Sequence, residues 1–182
     1  MGGEVRRAGG DRAMSEVMIR AACSGDIPHL AAIEISAADA FAAYGQPLAD
    51  GSPTTPAEEW DAALAAGLLW VADDATCGPV GFLGAEVTAD GLYISEVDVR
   101  TEHQRRGLGR RLVQTAIAAA KAMRLPAITL TTFRNIPWNA PFYVSIGFRE
   151  LEPAETSVFL AERLANQAAR GLKDRCAMRL AL

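Results

Sequence analysis

The sequence predicts a mixed α/β (α+β) fold with a mostly antiparallel central sheet and one parallel crossover. In the first half of the chain, short apolar segments alternate with turn residues, which is typical of antiparallel hairpins. In the second half, a long amphipathic helix lies between two predicted strands, and a strand–helix–strand unit of this length implies a parallel pair. The composition fits a globular protein, because 50% of the 182 residues are hydrophobic and 22% are charged.

The first half of the chain predicts three strands, two helices and a loop. Ser24 or Asp26 lies near the N-cap of the first helix, and Pro28 lies in its first turn. The last two strands lie close together in sequence, which predicts a hairpin and hence an antiparallel pair. The predicted elements are a strand over 17–22, a helix that runs towards Phe41, a loop over 45–56, a helix over 56–67, and strands over 68–72 and 80–88.

The second half begins with the turn dipeptide Asp90-Gly91, which precedes a third strand of the antiparallel part. Apolar residues at helical spacing predict the long helix over 107–124, and Pro126 ends it. The elements around it are strands over 92–99 and 127–133, a short helix over 138–146, a strand over 148–151, a helix over 156–170 and a last strand over 176–182.

Composition and charge exclude several classes of protein. We expect residues 15–182 to form a single domain and residues 1–14 to be a disordered extension, since the latter hold charges and glycines but no apolar stretch. The net charge of −4 argues against nucleic-acid binding, and no apolar run reaches the ~18 residues of a membrane span. Cys23, Cys77 and Cys176 lie far apart, which predicts no metal site and reduced thiols in a cytoplasmic protein.

A glycine-containing loop joins the third antiparallel strand to the long helix. Residues 104–109 read Q-R-R-G-L-G, and two more arginines follow them. Backbone N–H groups at a helix N-terminus attract anions, and glycines let a pyrophosphate approach them closely. The alternative is an ordinary strand–helix turn with a solvated basic face. The spacing matches neither a P-loop nor a dinucleotide-binding fingerprint.

Two blocks of the sequence resemble those of a single family. Val99 followed by residues 104–109 resembles the acetyl-CoA loop of the GNAT superfamily of N-acetyltransferases, V-x-x-x-x-[QR]-x-x-G-x-[GA]. Residues 138–148 (W-N-A-P-F-Y-V-S-I-G-F) resemble its later block, N-x-x-[FL]-Y-x-x-x-G-F. The resemblance covers residues 92–148. It implies that acetyl-CoA is the co-substrate and that the reaction needs no metal.

The resemblance also implies a geometry for the cofactor site. The strand before the loop carries a bulge and splays away from its parallel neighbour, and helices cover both faces of the sheet. A freed backbone N–H could then bind the thioester carbonyl, while the loop N–H groups hold the pyrophosphate. The residues implied at the cofactor are Val97, Asp98, Val99, Gln104, Arg105, Arg106, Gly107, Leu108, Gly109, Arg110, Asn139, Phe142 and Tyr143.

Tyr143 is the catalytic acid that the resemblance implies. A tyrosine of pKa ~10 can protonate a leaving thiolate whose thiol has a pKa of ~8.5. A tyrosine that only packs its ring is the structural alternative. Asn139, four residues earlier, either contacts the cofactor or caps the short helix. Many relatives carry an asparagine at the position of Ile136, next to Asn135 in this chain, so it stays open whether Asn135 or Asn139 contacts the ligand.

Glu96 is the predicted base, and Asp98 is the second candidate. An alkyl amine of pKa ~10 is protonated at neutral pH and cannot attack, so a carboxylate or a water chain must remove a proton. The two residues are two apart in a strand and lie nominally on one face. Relatives often use an acidic residue at the Glu96 position. The alternative for both is a solvated carboxylate pair.

The expected activity is transfer of an acetyl group from acetyl-CoA directly to a primary amine of a small molecule. A protein N-terminus or a lysine is an alternative acceptor, and a longer acyl group is an alternative donor. A non-catalytic sensor module that binds CoA is the rival from another class. A homodimer is an expectation of the resemblance alone, and neither a nucleic acid nor a membrane is an expected partner.

Overall fold

The computed structural model describes residues 16–42, 44 and 54–182. The elements, in chain order, are β1 (Val17–Ala21), α1 (Ile27–Ala42), α2 (Ala57–Ala65), β2 (Leu69–Asp74), β3 (Gly78–Thr88), β4 (Gly91–Val99), α3 (Leu108–Ala122), β5 (Ala127–Phe133), α4 (Ala140–Val144), β6 (Arg149–Glu150), α5 (Val158–Ala169) and β7 (Arg175–Ala181). None of the helices in these ranges is long and apolar enough to cross a membrane.

All seven strands form one sheet in the order β1-β2-β3-β4-β5-β7-β6. The pair β4–β5 is parallel, and the other neighbours are antiparallel. Helix α3 connects the two parallel strands, as the sequence predicts. The predicted fold class is therefore confirmed. The expected extension over residues 1–14 and most of the predicted loop over 45–56 lie outside the described residues.

Several predicted element boundaries are wrong by a few residues. The strand over 148–151 is only β6, because the Phe148 N–H bonds back to the Tyr143 carbonyl at 3.1 Å. Leu151 lies just past the strand and still donates its N–H to the Ala177 carbonyl of β7 at 2.9 Å. The short helix over 138–146 is only α4, and its first turn holds Pro141. The last strand begins one residue early, since Arg175 pairs with Phe133.

The start of α1 also differs from the prediction, because a single 3₁₀ turn over Ser24–Asp26 precedes the helix. The Asp26 carboxylate accepts a hydrogen bond from the Cys23 N–H at 2.8 Å and closes this turn. It also pairs with Arg20 of β1, with a distance of 2.7 Å between Nη1 and Oδ2. Asp26 thus ties the first helix to the first strand.

Two hydrophobic clusters lie on opposite faces of the sheet. Successive residues of β3 point to opposite faces, so Leu83 packs in the cluster of α3 and Phe82 packs in the cluster of α1 and α2. On one side α3 contributes Leu112 and Val113, which are fully buried. Helices therefore cover both faces, as expected. Trp60 of α2 packs edge-on against Phe82 with 5.2 Å between the ring centroids.

The parallel pair separates partway along its length. β4 and β5 pair only where Leu92–Ile94 meets Ile128–Leu130, and both strands continue beyond this point. At the same position β4 bulges against β3, leaving Ser95 without a partner in the register. The Ser95 hydroxyl donates to the Gly84 carbonyl at 3.0 Å and holds the bulge. The side of β4 that faces β5 has no strand partner beyond Ile94, and a notch opens there.

Gly84 lies opposite the bulge, and its lack of a side chain leaves room for Trp60. A Cβ at this position would lie 2.2 Å from a ring carbon of Trp60, closer than atoms can pack. The glycine lets the buried indole sit directly on the strand. The bulge in β4 and the packing of α2 are therefore supported by the same residue.

Candidate active site

The loop before α3 has the backbone conformation of an anion-binding site. Arg105 and Gly107 both adopt the left-handed region, with φ of 59° and 77°. Gly107 is the N-cap of α3, and no side chain caps the first turn. The first N–H groups of the helix therefore lack a capping side chain within the described residues and are available to an anion. A Cβ at Gly107 would meet nothing within 4 Å, so the space in front is open.

The side chains of the loop divide into two groups. Gln104 donates from Nε2 to the Val99 carbonyl at 3.0 Å, so it anchors the loop to the end of β4. Arg110 donates to the Ser145 hydroxyl at 2.8 Å and lies over the Phe142 ring, which ties α3 to α4. Arg105 and Arg106 are exposed. The loop therefore offers two solvent-facing arginines beside the backbone donors, since Arg110 is engaged with α4.

Helix α4 positions the second predicted block beside the notch. The Asn139 side chain accepts a hydrogen bond from the Thr132 hydroxyl at 2.7 Å and makes no capping bond, so it links α4 to β5. Phe142 and Tyr143 pack edge to face with ring centroids 5.0 Å apart, and Phe148 lies 5.5 Å from Tyr143. The capping interpretation of Asn139 is wrong because β5 approaches close enough to take its carbonyl.

The notch opens into a cleft of about 500 Å³. Glu96 and Asp98 of β4 line it together with Tyr143 of α4. The sequence-predicted base candidates and the predicted acid thus share one cavity. A second cavity of about 520 Å³ shares Glu96 and Arg163 with it and extends the space towards α2 and α5.

Burial in the cleft raises the pKa of both β4 carboxyl groups. Desolvation is the main cause for Glu96, and the Arg175 guanidinium opposes it by favouring the charged form. The pKa of Asp98 is raised well above its ordinary value by desolvation and by the negative charges of Glu96 and Glu34. Arg175 therefore favours the ionised form of Glu96, while the neighbouring carboxylates favour the protonated form of Asp98.

The pKa of the Tyr143 hydroxyl is raised above the ordinary tyrosine value. Desolvation is the main cause, and the charges of Glu96 and Asp98 add to it. The hydroxyl is therefore fully protonated at neutral pH and can act as a donor. Neutralising Glu96 or Asp98 would lower the pKa of Tyr143 towards its ordinary value, so the hydroxyl would give up its proton more easily.

Glu34 of α1 is a third carboxyl group in the cleft that sequence reasoning missed. It is 6% exposed and accepts a hydrogen bond from the Thr55 N–H at 2.6 Å through Oε2, while Oε1 has no partner among the described residues. Burial raises its pKa to about 7. A detectable sign was present, because Glu34 lies four residues after Leu30 and three before Ala37 on the buried stripe of α1.

Arginines form the opposite wall of the cleft. Arg163 and Arg170 belong to α5 and its end, and Arg175 begins β7. Arg163 pairs with Glu86 at 2.7 Å and lies over the Tyr93 ring. Arg175 lies over the Phe133 ring at 4.4 Å. These arginines belong to neither of the two sequence blocks that predicted the site.

The structure also brings Asp74, Cys77 and His103 together, with one ligand-type atom of each within 4.8 Å of the others. No sequence motif connects these three residues. The Asp74 carboxylate accepts hydrogen bonds from the backbone N–H and the hydroxyl of Thr76, at 2.9 and 2.7 Å. These bonds close the turn between β2 and β3. The cluster lies outside the cleft that holds Tyr143.

The comparisons agree with this architecture. A model of the acetyltransferase (GNAT) domain family matches residues 65–150, which hold the splayed strands, the loop and the Tyr143 block. A GNAT-family acetyltransferase from Staphylococcus aureus is similar in fold, with a TM-score of 0.70 and 16% identity over 92% of this chain and 99% of that one. Residues 65–150 therefore match the acetyltransferase (GNAT) family, whose acetyl donor is acetyl-CoA.

Two further structures share the fold and differ in acceptor. N-acetylglutamate synthase from Neisseria gonorrhoeae, solved with coenzyme A and N-acetylglutamate, has a TM-score of 0.67 and 19% identity over 92% of this chain. This chain spans 35% of that protein's length. The ribosomal-protein-S18-alanine N-acetyltransferase of Escherichia coli has a TM-score of 0.65 and 17% identity over 91% of this chain and 94% of that one. At these identities the likeness is one of fold.

The residues present fit the acetyl-CoA that the family implies. The uncapped N-terminus of α3 and the open space before Gly107 suit a pyrophosphate. The side of β4 beyond Ile94 has no strand partner, so its polar groups are available to an extended amide chain.

Proposed function

We propose that this protein transfers an acetyl group from acetyl-CoA directly to a primary amine of a small molecule. The observation that carries the proposal is the convergence of Glu96, Asp98 and Tyr143 on one cleft at the point where β4 and β5 separate. A base and an acid are the two groups that aminolysis of a thioester requires. They lie beside a loop suited to the phosphates of the donor.

Glu96 acts as the base in this proposal. Its pKa is raised by burial, which brings a carboxylate closer to the range in which it can take a proton from an ammonium group. Arg175 keeps Glu96 more readily ionised than Asp98, whose pKa is raised further by neighbouring charge. Asp98 therefore holds its proton while Glu96 removes one from the amine, directly or through water.

Tyr143 donates a proton to the departing sulfur. Bound acetyl-CoA supplies an activated thioester. A C–N bond to the amine forms as the C–S bond breaks, and the second nitrogen proton, lost as the amide forms, returns to the tyrosine oxygen through water. When Glu96 takes the amine proton its negative charge disappears. One cause of the raised Tyr143 pKa then disappears too, so the tyrosine gives up its proton more easily at the moment it is needed.

The many carboxyl groups of the cleft support an amine as the acceptor. Glu34, Glu96 and Asp98 are gathered in a cavity where burial penalises negative charge, and a cationic substrate offsets that penalty. Relatives of this fold act on an amino acid in one case and on a protein N-terminus in another, by their names. The volume of the cleft between α1, α5 and the sheet, about 500 Å³, supports a small molecule.

Release of free CoA thiol from acetyl-CoA, measured with a thiol reagent against a broad panel of amines, tests the proposal. We expect turnover with small primary amines and acetylated product by mass spectrometry. Peptides with free N-termini or lysines form a second arm, and their exclusive use would move the acceptor to proteins. Propionyl-CoA and longer thioesters form a third arm and measure the donor preference. Tight CoA binding without transfer to any member of the panel would overturn the catalytic assignment in favour of a sensor.

A further inference from the structure

The cleft has walls of opposite charge. Glu34, Glu96 and Asp98 lie on the side of α1 and β4, and Arg175 lies on the side of β7 and α5. An acceptor that carries only an ammonium group would be served by the first wall alone. On the second wall, burial disfavours the positive charge of Arg175. Binding of the amine does not explain why a cation lies there.

Within the part of the chain that the structure describes, the hydrogen-bond partners of Arg175 are neutral groups. Its Nε donates to Gln167 Oε1 at 3.0 Å, and its Nη2 donates to the Thr131 carbonyl at 3.1 Å and the Thr131 hydroxyl at 3.3 Å. Gln167 is fixed in turn, because its Nε2 donates to the same hydroxyl at 2.9 Å. The guanidinium therefore has a set position, with its Cζ 4.4 Å from the centroid of the Phe133 ring.

The remaining Nη1 of Arg175 has no partner among the residues that the structure describes, and no carboxylate of those residues lies within ion-pair distance of it. Burial lowers the pKa of this guanidinium, which shows that its surroundings disfavour the charge. Glu96 is near enough to favour the charge but forms no ion pair with it. Arg163 on the same wall differs, since its charge is paired with Glu86.

We propose that Arg175 is the binding site for a carboxylate of the acceptor, so that the acceptor is an amino acid and not a simple amine. The amine would lie towards Glu96 and the carboxylate towards Arg175, each on the wall of opposite charge. A guanidinium already fixed by three hydrogen bonds loses little entropy when it binds, which favours such a role. This inference rests on the proposed acetyl transfer and names the substrate class for it.

The first test uses the unmodified protein with matched acceptors. Each set holds an α-amino acid, its carboxamide and the amine that lacks the carboxyl group, with kcat/KM expressed per free amine because the amine pKa differs within a set. Charge-assisted hydrogen bonds contribute roughly 1.5–3 kcal/mol, so we expect the amino acid to be preferred by about 10- to 100-fold, mainly through KM. Equal use of all three members of each set would overturn the inference and leave the acetyl transfer intact.

The second test compares Arg175→Met with Arg163→Met. The ratio of kcat/KM for the amino acid over its decarboxylated amine should fall towards one in Arg175→Met and stay at the wild-type value in Arg163→Met. A CoA dissociation constant equal to that of the wild type shows that Arg175→Met is folded, and Arg175→Lys serves as the milder change if it is not. An equal loss on all acceptors, with a shift of the pH profile, would mean that Arg175 acts only on Glu96 and would overturn the inference. No CoA release with any amine would be failure of the proposed function itself.

Discussion

The loop over residues 104–109, which we propose binds the donor (the donor loop), is built differently from the cleft that we propose binds the acceptor (the acceptor cleft). The loop is a run of adjacent residues, and its conformation follows from local features such as the left-handed φ of Gly107 and the uncapped start of α3. The cleft takes Glu34 from α1, Glu96 from β4 and Arg175 from β7, which are distant in sequence. In the proposed function the loop binds the donor mainly through backbone groups, while the cleft acts through side chains whose pKa values depend on one another.

This difference has a consequence for how each region tolerates change. Every residue except proline keeps its backbone N–H. Substitution of a single side chain in the loop therefore leaves most of its hydrogen-bond donors in place. The cleft concentrates its chemistry in a few side chains. We therefore expect the largest effects of mutation in the cleft and the smallest in the loop.

Tyr143→Phe should give the largest loss. Removing the hydroxyl removes the proton donor, so kcat should fall by roughly 10²–10⁴-fold. The phenylalanine ring keeps the edge-to-face packing with Phe142 and Phe148, so the CoA dissociation constant should be unchanged. Single-turnover rates and CoA titration measure the two quantities. An unchanged kcat would remove Tyr143 from the chemistry.

Glu96→Gln should lower kcat/KM by roughly 10²–10³-fold, and Asp98→Asn should lower it less. For the wild type, kcat/KM should rise with pH as Glu96 loses its proton, with an apparent pKa above the ordinary glutamate value because burial raises it. The glutamine variant should lose this rise. A larger loss in Asp98→Asn than in Glu96→Gln would exchange the roles of the two carboxyl groups.

Glu34→Gln should change stability with a clear dependence on pH. The folded pKa is raised from 4.5 to about 7, so the protonated carboxyl favours the folded state. This stabilisation is fully present below pH ~4.5 and is lost as pH rises through about 7, for a total of at most about 3 kcal/mol. The variant should therefore be more stable than the wild type at pH 8 and lose this part of the pH dependence. Thermal melts between pH 5 and 8 measure it, and parallel curves for both proteins would contradict it.

The double variant Arg106→Ala, Gly107→Ala should have the smallest effect, about a tenfold loss of CoA affinity. A left-handed alanine costs roughly 1 kcal/mol, and an exposed arginine beside a phosphate contributes a similar amount or less. Isothermal titration of acetyl-CoA measures it. Arg111→Ala is the control, because this exposed arginine follows the loop. The affinity of this variant for acetyl-CoA should match that of the wild type. A loss of more than a hundredfold in the double variant would mean that the loop depends on these two residues and not on distributed donors.

Local patterns in the sequence predicted the fold class, the crossover helix and the glycine-containing loop before that helix, because spacing and turn chemistry determine these features within a few residues. They also brought Glu96, Asp98 and Tyr143 forward as candidates. The roles of those side chains stay predictions that the variants above test. Acetyl-CoA as donor followed from two contiguous blocks of the chain.

Only the tertiary structure decided what surrounds these residues. Asn139 bonds to Thr132 because β5 passes beside α4, and Arg110 binds Ser145 because α4 packs on α3. Glu34 and Arg175 enter the cleft from opposite ends of the chain, and no spacing rule relates them. Folding removes water from these charged groups and places them around one cavity. Only the tertiary structure therefore reveals the two charged walls of the cleft.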